Sequence, residues 1–153
     1  GESDENIKNY LREIKPHYIG VTVLFSNLIR HMNRIMEIAK EIDPRIVTIV
    51  GGNYITERYE NVLQNNKHID FAMISECDLA FSDFIDEHSQ GREFRNVPGI
   101  VYREGNTIQV NNSSNRIMDL GTLPQPARDL MNLEKYWKIN NIAKTLPQEM
   151  VPE

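Results

Sequence analysis

The sequence predicts a doubly wound α/β fold on a parallel sheet, from three observations. Three strand-to-helix crossings follow one another along the chain. Each strand is a short β-prone apolar run. Each crossing ends in a loop of small or polar residues: Thr22-Val23-Leu24-Phe25-Ser26, Val50-Gly51-Gly52-Asn53 and Ser75-Glu76-Cys77-Asp78. Continuous apolar strands are those covered on both faces, as parallel strands are when the crossing helices pack back over them. Such folds take their ligands in the crevice outside the carboxyl ends of the strands, where helix N-termini and small-residue loops present unpaired N–H groups. A binding edge is therefore predicted before any ligand is.

The elements follow in order. Ile7, Leu11 and Ile14 at helical spacing predict a helix over 5–14, stopped by Lys15-Pro16. Residues 18–24 form the first strand, expected to be covered on both faces. Ser26 or Asn27 can cap the next helix, whose Leu28, Met32, Ile35, Met36, Ala39 and Ile42 make one apolar stripe before Asp43-Pro44 ends it. Residues 46–50 are the second strand. Thr56 can cap a short helix to about residue 65, with Tyr59, Val62 and Leu63 turned inward. Residues 69–74 are the third strand, and Leu79, Phe81, Phe84 and Ile85 mark a helix that runs out at Gly91. A β-hairpin is expected over 98–111, Gly105 supplying the positive φ of its turn. Residues 111–115 read as a loop. The proline-bearing segment 120–130 is expected to be extended, because each proline pushes its predecessor out of the α region. The main domain is thus placed at 1–135, with 136–153 as a tail or linker.

Composition excludes several function classes. The 153 residues carry 40% apolar and 25% charged side chains, enough for one domain that buries roughly 68–70% of its unfolded surface. Lys and Arg number 17 against 22 Asp and Glu, a formal charge of -5, with the bases scattered, so no nucleic-acid partner is expected. No apolar run approaches the ~20 residues that span a bilayer, and nothing reads as a signal peptide, so no membrane partner and a cytoplasmic location are expected. The chain starts at Gly1, as expected of a piece of a longer protein. One cysteine, Cys77, excludes an internal disulfide framework and an all-cysteine zinc or iron–sulfur site.

Candidate residues gather in the three loops. Gly51 and Gly52 lack a β-carbon, so a flat or bulky ligand can approach the backbone there; a tight strand-to-helix turn without any ligand explains the pair equally well. Thr22 and Ser26 can bond a phosphate or ring substituent, or serve as plain strand and cap residues. Glu76 can accept a hydrogen bond from a ligand amide or ribose hydroxyl, or simply stand as a carboxylate at a helix N-terminus. His17, His31, His68 and His88 sit on separate elements without metal-ligand spacing, so no metal is expected. His31 is expected at the border of its helix's stripe. Cys77 begins a helix whose dipole can depress its pKa, yet no base stands beside it, and a small buried thiol explains it. Neither G-x-G-x-x-G nor G-x-x-x-x-G-K-[ST] occurs.

Taken together, the loops resemble those of cobalamin-binding domains. Thr22-Val23-Leu24 is similar to an S-x-L element and Gly51-Gly52 to its G-G element. More closely, the string of 19–26, 49–52, Ile69-Asp70-Phe71 leading to Glu76, 99–103 with Gly105, and 123–130 resembles the cobalamin-binding domain of cobalamin-dependent radical S-adenosylmethionine enzymes. The resemblance covers roughly residues 10–135. It implies a flavodoxin-like, Rossmann-like domain with a corrinoid across the strand ends, contacted by Thr22, Leu24, Phe25, Ser26, Gly51, Gly52, Asn53, Ser75 and Glu76. It also implies that cobalamin relays a methyl group or assists related radical chemistry, and that an iron–sulfur cluster and S-adenosylmethionine belong to a downstream radical core of the same polypeptide, whose C-x-x-x-C-x-x-C motif this chain lacks. The chain by itself is then expected to be non-catalytic.

Two departures bear on that expectation. Ser75-Glu76-Cys77-Asp78 stands where the family has G-E-G-E, and the D-x-H-x-x-G loop lies upstream in the family. Because the family domain places one or two strands before Tyr18, the 18–24 strand is expected to be an open edge, and a homodimer of the chain is a possible consequence. The alternative reading is a flavodoxin-like interaction or regulatory module that no longer binds a corrinoid; an independent small-molecule enzyme ranks last, for want of a base and nucleophile pair. Valine at Gly52 separates ligand from turn: with φ < 0 it should block the ligand and spare the fold, whereas in a structural turn it should destabilise.

Overall fold

Five strands form one sheet in the order β1 (Tyr18–Thr22), β2 (Val47–Gly51), β3 (Phe71–Met73), β4 (Ile100–Glu104) and β5 (Thr107–Val110). The computed structural model describes residues 3–111, 119, 121 and 123–130. The chain divides into two units, Gly1–Met118 and Asp119–Glu153, and the sheet belongs to the first. β1, β2 and β3 are parallel, Thr22 lying opposite Gly51 and Val50 opposite Ala72. The hairpin joins β3 antiparallel and extends the same sheet, with a two-residue Gly105-Asn106 turn in which Gly105 has φ 60°.

Helices cover the sheet from both sides, as the alternating sequence pattern requires. α2 (Ile29–Ile42) and α3 (Asn53–Asn65) bury Met32, Met36, Ile55, Val62 and Leu63 against Val23, Val50, Ala72 and Val101. α1 (Asp4–Ile14) adds Leu11 to Ile38, Ala39 and Ile46. Ser3 caps α1 through the Asn6 N–H at 3.2 Å, and Lys15 ends it at φ 45°. On the opposite face, α4 (Asp78–Ser89) sets Phe84 among Ile49, Met73, Val97 and Ile100. Each fully buried side chain of this kind stabilises by roughly 1.5–3 kcal/mol.

Polar groups fasten the amino-terminal edge of the sheet. Asp70 Oδ2 accepts from Lys40 Nζ at 2.5 Å, from the Thr48 N–H at 2.8 Å and from the Thr48 hydroxyl at 3.0 Å. Arg103 on β4 donates to the carbonyls of Leu63, Ile69 and Asn66, placing a cation at the carboxyl end of α3, where the helix dipole favours it. Burial pulls the Arg103 pKa down from its ordinary value, against the opposing pull of Asp70.

Several expectations are corrected. β1 is not covered on both faces: Gly20 and Thr22 are exposed on the side of α4, and among the described residues β1 pairs with β2 alone. Ser26 and Asn27 do not cap α2, because a 3-10 turn over Ser26–Leu28 intervenes and Leu28 precedes the helix without a side-chain bond. Thr56 does not cap α3, which starts earlier, behind Gly52. Ile38 is buried although it lies outside the read stripe, since α1 supplies a second surface for α2. His31 is exposed. In the second unit, residues 124–127 carry no regular element and Arg128–Leu130 forms a 3-10 turn. The 112–115 part of the loop expectation and the 136–153 tail lie outside the described residues.

Candidate functional site

All nine loop residues singled out in the sequence fall at the carboxyl edge of β1, β2 and β3. Parallel pairing forces this, because three strands running the same way must release their loops at the same end. Backbone bonds lock the first two loops together: the Val23 N–H donates to the Gly51 carbonyl at 2.8 Å and the Tyr54 N–H to the Val23 carbonyl at 3.2 Å. The third is joined to the second by a side chain, the Ser75 N–H donating to the Thr56 hydroxyl at 3.0 Å.

The two glycines play different parts. Gly52 has φ 97°, and a β-carbon built on it would lie 2.7 Å from the Val23 carbonyl oxygen and 3.0 Å from Thr22 Cγ2. The fold itself requires glycine there, and the condition φ < 0 is not met. Gly51 lies outside the left-handed region, and its β-carbon would meet nothing nearer than the Met73 carbonyl oxygen at 3.5 Å, an ordinary contact. Gly20, on the same face, would meet nothing within 4 Å. A strip of bare backbone thus runs along Gly20 and Gly51 beside the exposed Thr22, and glycine in a strand often marks close approach by a ligand or another backbone.

Around this strip the rim is apolar. Leu24 and Phe25 are 50% and 67% exposed, and Leu28, Leu79 and Phe81 also stand open, at the start of α2 and in the first turns of α4. Ser26, Asn53, Ser75 and Glu76 are exposed polar positions between them. These exposed apolar side chains belong to the loops and first helical turns that follow β1 and β3. Sequence reasoning missed Gly20, Leu28, Thr56, Leu79 and Phe81. A glycine inside a β-prone run was the available signal for the first.

Cys77 packs half-buried against the Phe84 cluster. Burial, reinforced by Asp78, pushes its thiol pKa up, as suits the reading of Cys77 as a small packed thiol. Among the described residues no group of three or more His, Cys, Asp or Glu side chains could hold a metal ion.

Two hollows lie at the opposite, amino-terminal edge. One of about 650 Å³ is lined by Arg12, Lys15, His17 and Asp43, and one of about 440 Å³ by Lys40, Asp70, His88 and Arg103. In the second the polar heads are already engaged within the protein, Lys40 by Asp70, Arg103 by carbonyls and His88 by the Tyr18 hydroxyl at 3.0 Å. The carboxyl edge is the one with backbone laid bare.

The family profile described as the B12 binding domain matches residues 2–85. An uncharacterised methyltransferase of Pyrococcus horikoshii is 25% identical over 131 residues, which cover 86% of this chain and 28% of that protein. The cobalamin-dependent radical SAM methyltransferase TokK of Streptomyces tokunonensis is 23% identical over 114 residues, covering 74% of this chain and 17% of that protein. Among solved structures, the radical S-adenosylmethionine methyltransferase TsrM of Kitasatospora setae, with cobalamin and a [4Fe-4S] cluster bound, superposes with a TM-score of 0.61 at 14% identity, covering 79% of this chain and 23% of that one. The chain therefore spans less than a third of the length of these relatives, and the structural likeness shows the fold. With the profile matching more than half of its residues, this chain belongs to the B12-binding domain family.

Proposed function

We propose that the carboxyl edge of the sheet holds a corrinoid, and that the chain is the cobalamin-binding part of a radical S-adenosylmethionine enzyme whose iron–sulfur core belongs to the same polypeptide. The observation that carries the proposal is Gly51: the fold would accept a β-carbon there, yet the position is bare, beside Gly20 and the apolar Leu24 and Phe25. A corrin ring is broad and flat, with an apolar methylated periphery and amide arms, and this edge offers the complement of both. Gly51 and Gly52 would form the floor. Leu24 and Phe25 would lie against the macrocycle. Thr22, Ser26, Asn53, Ser75 and Glu76 would hydrogen-bond the amides or the nucleotide tail.

Bound cobalamin supplies a cobalt centre able to carry a methyl group. The chain's own part is to bind, orient and shield it: its apolar rim excludes water from one side of the ring, and its polar loop residues fix the register. Methyl transfer or related radical chemistry belongs to the whole enzyme in this proposal, as do the cluster and S-adenosylmethionine. No helix among the described residues is long and apolar enough to cross a membrane, and a cytoplasmic location goes with the proposal.

The test is a titration of the chain with hydroxocobalamin, followed by visible spectroscopy and calorimetry. Saturable one-to-one binding, weakened at least about tenfold by Gly51→Leu with the melting temperature nearly kept, is the expected result. A folded chain that does not bind would return the reading to an interaction module.

The edge of β1 that pairs with no other strand among the described residues favours a second proposal, that two copies pair along it. Its Tyr18–Thr22 run contains no charge and no proline, the usual protections of an exposed edge. Sedimentation showing a monomer over a wide concentration range would refute it.

A further inference from the structure

We infer that Thr56 is a positioning residue of the corrinoid site, its hydroxyl tying the second loop to the third and holding the third in the shape a ligand meets. The inference rests on the corrinoid reading of this edge.

Thr56 lies in the first turn of α3, and its backbone N–H already bonds the Gly52 carbonyl at 3.0 Å. Helix entry therefore does not depend on the side chain. The hydroxyl nevertheless donates to the same Gly52 carbonyl at 3.2 Å and accepts the Ser75 N–H at 3.0 Å. A hydroxyl has one hydrogen, so the donor is spent on the second loop and a lone pair serves the third. Back-bonding of a helical threonine to the carbonyl four residues earlier is common and means little alone. The bond from Ser75 is what joins two loops 19 residues apart in sequence.

Ser75 is where such a tie is needed. Its φ of 64° lies in the left-handed region that a residue with a side chain avoids. The Ile74 N–H before it is taken by the Gly99 carbonyl at 2.9 Å, and α4 starts at Asp78. Ser75 thus turns the chain between two anchored elements, and the bond from its N–H to Thr56 holds it in that backbone state. Its side chain faces solvent at the site edge. Because Thr56 is bound to Gly52, which in turn sits under Val23, all three loops share one chain of contacts.

Thr56→Val keeps the shape and removes the hydroxyl; Thr56→Ser keeps the hydroxyl. In Thr56→Val the Ser75 amide should exchange with deuterium about tenfold faster than in wild type, and hydroxocobalamin should bind about tenfold more weakly when measured well below the melting temperature. Thr56→Ser should stay within about threefold of wild type in both. An unchanged Ser75 exchange rate in Thr56→Val would overturn the tie. A lower melting temperature with wild-type affinity would reduce Thr56 to a structural role and overturn its part in the site. If wild type binds no hydroxocobalamin while Ser75 protection still depends on Thr56, the corrinoid reading has failed and the tie between the loops stands.

Discussion

Gly52 lies directly against the first loop, close enough that a β-carbon on it would stand 2.7 Å from the carbonyl oxygen of Val23. Backbone cannot retreat as the end of a flexible side chain can, and φ 97° is already a state that other residues avoid. Gly52→Ala should therefore destabilise the chain by about 2–4 kcal/mol. Gly51→Ala should cost less than about 1 kcal/mol. Urea unfolding of both variants checks the contrast, and equal losses would refute it.

Phe25, 67% exposed, contributes little to the core. Phe25→Ser should leave stability within about 0.5 kcal/mol of wild type, yet weaken hydroxocobalamin binding about tenfold by removing apolar surface from the rim. Paired melting curves and titrations would show it. A lower melting temperature with unchanged affinity is the opposite outcome.

At the other edge, Asp70 is the common acceptor for Lys40 and for both donors of Thr48, a residue with no exposed surface. Asp70→Ala should cost about 1–3 kcal/mol, since it strands the buried Thr48 N–H, whereas the Thr48 hydroxyl keeps its bond to the His68 carbonyl at 2.6 Å. Lys40→Met should cost only about 1 kcal/mol, because Asp70 keeps its bonds to Thr48. Equilibrium unfolding of the two variants tests the order.

His88 gives stability a pH dependence. Burial among Phe71, Phe84 and Phe94 lowers its pKa below the usual 6.5, against the opposing pull of Asp70. Since the unfolded chain then takes up the proton first, this contribution is complete above about pH 6.5 and is lost as the pH falls from there towards the lower folded-state pKa. The Tyr18 hydroxyl, 3.0 Å from His88 Nδ1, can donate to the neutral ring or accept from the protonated one. The melting temperature of wild type should drop between about pH 6.5 and 5.5 more than that of His88→Gln. Parallel pH profiles for the two proteins would remove this assignment.

With a single cysteine in 153 residues, the purified chain should take up no stoichiometric iron and sulfide on anaerobic reconstitution and should not cleave S-adenosylmethionine. Iron and sulfide analysis with visible absorption is the measurement; a bound cluster would contradict it.

Most of the fold was legible in the sequence because its signals are local. Periodicity announced the helices, continuous β-prone runs the parallel strands, and Gly105 the hairpin turn. That the three loops share one edge was legible too, since parallel order alone sends them to one end. Exposure was not. Leu79 and Phe81 read as a helix face and stand open, and Gly20 read as one residue of a covered strand and lies bare, because solvent access depends on which neighbours pack above a residue. Gly51 and Gly52 are one dipeptide in the sequence. Only the tertiary structure separated them: the approach of the Val23 carbonyl, brought from a strand 29 residues away by parallel pairing, makes Gly52 a requirement of the fold and leaves Gly51 free for a ligand.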